Sequence, residues 1–455
     1  MIPQKGQDKY NRLRSKYQCF IFEKFDINLT NNILKLQYFF SIDDKIFFKP
    51  KIEINIIEDY QNGNLKMNHI ENIAFNIGMV ELISYWKAAC PKKTIIKAGK
   101  LNKSQIDFFK KLYFNGLGEF FYINGISTDI ESFMDIESDS DKTFPSFEVS
   151  TENKNLIPVG GGKDSVVSLE ILKNSKSDNF SIIINPRQAS LKTNEIAGLD
   201  KKLIKVKRQI DPELIELNKK SFLNGHTPFS AIVAFVSLMS AYLHNIKYIA
   251  LSNESSANES TVSGTNINHR YSKSYEFESD VRDYIFENIT KNIEYFSLLR
   301  PLSELQIAAI FSNLKKYHQD FRSCNVGSKE DKWCGNCPKC LFTFIILSPF
   351  LSIAEIENVF GKNLLDNENL EKDFDELVGI ADVKPFECVG TVDEVRIAHS
   401  LSLDKYKVKP YLLKKFENLG FQIKFDKKEL MDLNSENFLS ENYINLIKSN
   451  LEKII

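Results

Sequence analysis

Residues 156–172 constrain this chain more than any other stretch. They run Leu-Ile-Pro-Val, then Gly160, Gly161 and Gly162, then Lys163, Asp164 and Ser165, and close on an amphipathic segment ending at Leu172. An apolar run, a glycine turn and a helical repeat in that order read as strand, loop and helix. Val166, Val167, Leu169, Ile171 and Leu172 supply the buried helical face, which puts Asp164 and Ser165 at the helix N-terminus. Residues without a Cβ let the backbone turn sharply and bring its N–H groups close to an anion. The unpaired amides and dipole of a helix start favour a phosphate at that point. Lys163 can add a point charge, and Ser165 can donate to a phosphate oxygen or cap the helix. The plainer alternative is a glycine turn that only packs a helix onto a strand.

The spacing is neither a Walker A loop nor the dinucleotide Gly-x-Gly-x-x-Gly. It is similar to the pyrophosphate loop of the ATP pyrophosphatases, Ser-Gly-Gly-x-Asp-Ser, with Gly160 in place of the leading serine. The surrounding pattern suits such a core. Short β-branched runs at 181–185, 203–206 and 248–251 alternate with helical segments at 165–172, 212–222 and 229–243 and a turn at 194–199. That alternation predicts an α/β fold with a parallel sheet covered on both faces, spanning residues 151–345. Ligands of such sheets bind outside the carboxyl ends of the strands. Three polar loops, at 160–165, 185–187 and 252–254 with Glu254, are therefore expected to meet at one crevice holding ATP.

Residues 1–150 read as a separate N-terminal α/β or β-rich domain. Strands are expected at 17–25, 33–40 and 46–57, helices at 70–89 and 100–112, a strand at 119–125 and a linker at 135–142. Residues 346–455 read as mainly helical, most clearly at 370–380 and 442–455, with 421–425 as one added strand. The formal net charge of −1 argues against non-specific nucleic-acid binding. The longest apolar runs, 229–243 and 341–353, fall short of the ~20 residues a bilayer needs. No signal-peptide core opens the chain, so a cytoplasmic protein with no membrane partner is expected.

Of seven cysteines, four form C-x9-C-x2-C-x2-C: Cys324, Cys334, Cys337 and Cys340. Four closely spaced thiolates suit a tetrahedral Zn²⁺, and a full cysteine shell makes the ion structural. The alternatives are an iron–sulfur centre or buried apolar cysteines. Cys19, Cys90 and Cys388 stand alone.

A pyrophosphate loop with a cysteine cluster resembles the 7-cyano-7-deazaguanine synthases. Several stretches resemble more closely the ATP-dependent UDP-N-acetylmuramoyl-L-alanyl-L-glutamate epimerases of peptidoglycan synthesis. They include Gly78-Met-Val-Glu-Leu-Ile-Ser-Tyr-Trp-Lys87, Gly116-Leu-Gly-Glu-Phe-Phe-Tyr122, Pro158-Val-Gly-Gly-Gly-Lys-Asp-Ser165 and Asn224-Gly-His-Thr-Pro-Phe-Ser230. Ala250-Leu-Ser-Asn-Glu254, the segment from Asn268 to Glu278, Cys334-Gly-Asn-Cys-Pro-Lys-Cys340 and Lys384-Pro-Phe-Glu-Cys-Val-Gly-Thr391 continue the likeness. The resemblance spans nearly the whole chain, including the first 150 residues that a synthase would lack.

It implies conversion of UDP-MurNAc-L-Ala-L-Glu to its D-Glu epimer, with ATP split to AMP and pyrophosphate. Adenylating the carboxylate removes a charge that opposes carbanion formation beside it. The activated carboxyl could also cyclise to an oxazolone. On this resemblance Gly160, Gly161, Gly162, Asp164 and Ser165, with Lys163, serve ATP and Mg²⁺. Arg300 is a candidate phosphate contact, or else a solvated arginine before a proline. Epimerisation needs a base on one face of Cα and a proton donor on the other, and His226, His269 and Cys388 are the candidates. Cys388 could be a thiolate base where a cation lowers its pKa; for each of the three a structural role is the alternative. His244 and His318 read as structural, and Tyr271, Lys273 and Glu276 as candidate substrate contacts. The N-terminal domain is expected to help hold the UDP-sugar. Rival readings are another adenylating enzyme, such as a deazaguanine-type ligase or a tRNA-modifying enzyme, and a non-catalytic zinc-stapled nucleotide-binding module.

Overall fold

The computed structural model describes residues 4–262, 264–265 and 267–454. Its backbone is one eleven-stranded sheet. The strands are β1 (Cys19–Leu29), β2 (Ile33–Ile42), β3 (Ile46–Phe48), β4 (Lys51–Asn55), β5 (Lys93–Ile96) and β6 (Asp135–Ser138). They continue as β7 (Glu152–Pro158), β8 (Asp178–Ile184), β9 (Leu203–Gln209), β10 (Ile246–Leu251) and β11 (Glu294–Ser297). The spatial order is β11-β10-β7-β8-β9-β4-β2-β1-β5-β6, with β3 added beside β2. Pairings are parallel from β11 to β9 and again from β1 to β6, and antiparallel among β9, β4, β2, β1 and β3. The β4–β9 pairing, Lys51↔Gln209 to Ile54↔Val206, makes the strands of residues 1–150 and those that follow one sheet.

Successive residues of the parallel strands enter different cores. Leu156, Ile182, Ile204 and Ile249 join one hydrophobic cluster, and their neighbours Ile157, Ile183, Leu203 and Ala250 join the other. A strand buried on both faces must be apolar at consecutive positions, which explains why these runs do not alternate. The helix Met67–Trp86 lies in the first core, against β1, β2 and the helix Phe229–Leu243. Gly78 permits that approach, because a Cβ there would stand 2.4 Å from the Phe22 ring. The helices Lys163–Lys173, Glu304–Ser312, Pro338–Leu347 and Glu441–Leu451 cover the opposite face.

A buried ion pair ties the first core to the sheet. Arg208 on β9 donates from Nε and Nη2 to the two carboxylate oxygens of Glu81, each at 2.9 Å, and Glu81 is fully buried. Glu81→Ala strands the guanidinium without its partner and is expected to cost about 3–5 kcal/mol, read by urea unfolding. A loss below 1 kcal/mol would show that water or a neighbour replaces the carboxylate.

Three local expectations are corrected. Residues 119–125 are not a strand but part of the helix Gly118–Ile123, whose Phe120 and Phe121 pack into the core; aromatic β-propensity yields to that packing. The polar stretch at 135–142 is not simply a linker, since its first four residues form β6, a charged edge strand with Ile136 inward. Residues 421–425 carry no strand. The turn at 194–199 lies largely within a helix, Gln188–Ala197, and β11 was not anticipated. No helix among the described residues is long and apolar enough to cross a membrane.

Candidate active site

The glycine segment leaves the carboxyl end of β7 and enters the helix Lys163–Lys173, with Gly162 as its N-cap. Gly161 takes φ +87°, the left-handed region, and its carbonyl accepts from the Arg322 amide at 2.8 Å. Ser165 Oγ donates back to the Gly162 carbonyl at 3.0 Å. Lys163 does not stand on the loop surface as a free charge. It is buried, and its Nζ pairs with Glu304 and with Asp164. Burial acts against its charge, but the Asp164 and Glu304 carboxylates outweigh burial and raise its pKa, so it stays an ammonium.

Gly160, Gly162, Lys163, Asp164 and Ser165 line a cleft of about 330 Å³. Arg187 beyond β8 and Ser252 and Asn253 beyond β10 line it too. The loops that follow three neighbouring parallel strands thus meet at one place, as the strand–helix alternation requires.

Cys388 reaches the same cleft from a distant part of the chain, with Lys273 and Lys339. Lys273 Nζ donates to Cys388 Sγ at 3.1 Å. Burial pushes the thiol up, but Lys273, Lys339 and His269 together hold it well below its usual value. Lys273 is in turn raised to about 12, chiefly by the Cys388 charge. His269 has two anionic neighbours: its Nδ1 is 2.5 Å from Glu119 Oε2, and the Cys388 charge also acts on it. Burial opposes its charge, yet Cys388 and Glu119 raise it to about 9. His226 Nδ1 stands 3.5 Å from that same Glu119 oxygen, with the two imidazole rings 4.4 Å apart. Burial and then the charge of His269 push His226 down to about 4. One carboxylate therefore organises a neutral imidazole beside a protonated one.

Arg300 and Glu254 stand behind this wall. Arg300 is wholly buried and donates to the Glu278 carboxylate (Nη2–Oε2 2.9 Å), the Glu254 carbonyl (2.6 Å) and the Lys273 carbonyl (2.6 Å). Neither a phosphate contact nor a solvated arginine describes that position; Arg300 holds the backbone that carries Lys273. The Glu254 carboxylate accepts from Arg270 Nη1 at 3.1 Å and from Ser256. Burial raises it, but Arg270 and Lys273 prevail and hold it at about 2. Ser252 and Asn253 face the cleft in its place. His244 is structural, its Nδ1 on the Ser240 carbonyl and its Nε2 accepting from the Ile57 amide.

Glu119, Lys339 and Glu304 had not been singled out. Glu119 lies in the quoted stretch at 116–122, and a helical reading of that stretch would have shown it on the opposite side from Phe120 and Phe121. Nothing in sequence spacing connects Lys339 to Cys388.

The four clustered cysteines converge. Their sulfurs all lie within 4.8 Å of one another, with Cys324–Cys337 at 3.9 Å and Cys334–Cys340 at 3.7 Å. Backbone amides point at sulfur, Gly327 N to Cys324 at 3.1 Å and Cys340 N to Cys337 at 3.4 Å, as thiolates require. Gly335 at φ +63° turns the chain between two of them. This donor set fits a structural metal, and Cys324 also borders the cleft. Removing the metal with a strong chelator is expected to cost several kcal/mol, on the order of the folding energy a cysteine-bound metal supplies. Differential scanning calorimetry of the treated and reconstituted protein measures it, and identical melting curves would count against a metal.

The chain matches the family model for the MurL N-terminal domain over residues 11–298 and that for the MurL C-terminal domain over residues 320–418. The first contains the glycine loop, Glu119, His226 and His269; the second contains the four-cysteine cluster and Cys388. Among curated relatives, the UDP-N-acetyl-alpha-D-muramoyl-L-alanyl-L-glutamate epimerase of Xanthomonas oryzae pv. oryzae is 35% identical over 324 residues, 70% of this chain and 71% of its own. The proteins of that name from a Micromonospora species and from Salinispora tropica are 35% and 36% identical, over 70% of this chain and 72% and 70% of theirs. No solved structure matches the chain. With both family models and these relatives in agreement, the chain belongs to the MurL family and is an enzyme, an amino-acid-derivative epimerase.

Proposed function

We propose that this enzyme converts the terminal L-Glu of UDP-MurNAc-L-Ala-L-Glu to D-Glu in cytoplasmic peptidoglycan synthesis, after adenylating the glutamate carboxylate with ATP. The supporting observation is a single cleft that a phosphate-cradling glycine loop and a charged Cys388 share. In this reading the core around β7 is a pyrophosphate-loop fold. The amides of 160–162 and the helix start at Lys163 grip the polyphosphate, and the Ser165 hydroxyl would turn from the Gly162 carbonyl to donate to it. Asp164 would hold Mg²⁺, which neutralises phosphate charge when bound.

At Cα, His226 and His269 form the base and acid. Two groups of one kind whose surroundings push their pKa values apart, to about 4 and about 9, are suited to opposite proton roles. Cys388 presents a thiolate to the same space. The residues before β7 supply surface for the UDP-sugar, and the four-cysteine cluster carries Zn²⁺ as a staple for one cleft wall.

Incubation with UDP-MurNAc-L-Ala-L-Glu and Mg-ATP in D₂O tests the reading. Release of AMP and pyrophosphate is expected, with D-Glu carrying deuterium at Cα. Hydrolysis of ATP to ADP, or epimerisation without ATP, would sink it.

A further inference from the structure

The thiolate at Cys388 has a surrounding that suits attack on carbon better than removal of a proton. Its sulfur lies on the cleft wall, accepts from Lys273 at 3.1 Å, and has His269 and Lys339 as its other cationic neighbours. Lys273 is itself fixed, because Arg300 clamps its carbonyl from behind. Cations that stabilise a thiolate weaken it as a base more than as a nucleophile, since nucleophilicity falls only about half as fast as basicity. The proton roles are meanwhile filled by His226 and His269 on Glu119. Sulfur is thus left facing the space where an activated carboxyl would be formed.

We propose that Cys388 attacks the activated carboxyl carbon and carries the glutamyl group as a thioester while its Cα inverts. This rests on the adenylation reading above. A bond forms between Sγ and the carbonyl carbon, and the bond from that carbon to the phosphate-bound oxygen breaks. AMP leaves with the electron pair. Sulfur lends its lone pair to a carbonyl poorly, so the thioester makes Cα–H more acidic than either the carboxylate or an oxygen ester does. The Cα proton passes to the neutral imidazole, and a proton returns to the opposite face of Cα, which inverts the centre. Water then adds to the thioester carbonyl and the C–S bond breaks. The thiolate returns to Lys273, Lys339 and His269, and the free acid departs. Summed with adenylation, ATP, water and the L-isomer give AMP, pyrophosphate and the D-isomer, with no redox change.

Covalent tethering also solves a geometrical problem. An acyl-adenylate that inverts at Cα must stay anchored through its AMP half beside the glycines. A thioester lets AMP go and holds the reacting carbon at a fixed distance from the two imidazoles.

The test uses the full-length enzyme mixed with Mg-ATP and UDP-MurNAc-L-Ala-L-Glu, quenched in acid from milliseconds to complete turnover. Thioesters survive acid, so intact mass should show the substrate less one water on the protein, mapped to the peptide holding Cys388. Free AMP should appear as a burst of about one per active site, ahead of the free D-acid. Pyrophosphate is followed in the same samples. Pyrophosphate and D-product with an unmodified protein at every time point, as an intramolecular oxazolone would give, overturns the thioester and leaves adenylation standing. No substrate-dependent pyrophosphate at all overturns the adenylation reading and the thioester with it. An adduct mapped to any other residue also overturns the assignment to Cys388.

Discussion

Gly161→Ala is expected to reduce substrate-dependent pyrophosphate release more than about 100-fold, equivalent to about 2.7 kcal/mol of lost transition-state binding. Gly161 sits at φ +87°, and a Cβ there would stand 2.7 Å from the Ser190 nitrogen and 2.8 Å from the Ala189 carbonyl carbon. Both atoms are backbone of the helix Gln188–Ala197, so no side chain can swing aside. Left-handed strain and the clash together are expected to destabilise the protein by about 2–4 kcal/mol. The three glycines should not respond alike. A Cβ on Gly162 meets the Ser323 hydroxyl, which can rotate, and one on Gly160 meets nothing within 4 Å. Melting temperature should therefore be nearly unchanged in Gly160→Ala, lowered slightly in Gly162→Ala and lowered most in Gly161→Ala. Equal effects at all three positions would refute this account of the loop.

Glu119→Gln is expected to slow epimerisation about 10²–10⁴-fold, the range lost when the residue orienting a catalytic histidine is neutralised. Pyrophosphate release dependent on the muramyl dipeptide should continue, because Glu119 is remote from the glycine loop in role and in chain. The size of the effect follows from what the carboxylate holds. Together with Cys388, the larger contributor, it keeps the His269 proton in place against burial, and it contacts both rings. Without its charge the folded pKa of His269 drops below about 9, so the imidazolium is lost at lower pH. The alkaline limb of the activity profile should accordingly move toward neutrality. A variant that loses both half-reactions equally, or keeps the alkaline limb in place, would show that Glu119 acts on folding alone.

Local chemistry made some of this protein legible without coordinates. Three consecutive glycines between an apolar run and a helical repeat mark a tight turn that other residues could not make, and C-x9-C-x2-C-x2-C leaves little choice of ligand class. The helices at Phe229–Leu243 and Met67–Trp86 announced themselves through long apolar stretches. Where a segment's state depends on its partner, the chain alone misled. Aromatic residues at 119–125 resemble a strand until they meet a core that accepts a helical face. A polar stretch at 135–142 resembles a linker until β5 offers it an open edge.

The candidate site divides along the same line. Short-range spacing determined the loop of Gly160, Gly161 and Gly162 and the cysteine cluster, because their geometry is set by bonds and turns within a few residues. Only the tertiary structure decided that Cys388 faces Lys273, that His226 and His269 share Glu119, and that Arg300 lies behind the cleft rather than in it. Those contacts join residues from 27 to 150 positions apart, on a sheet that runs unbroken across β4 and β9. Burial and neighbouring charge, which set the protonation of such groups, are properties of the folded surroundings and not of the residue itself.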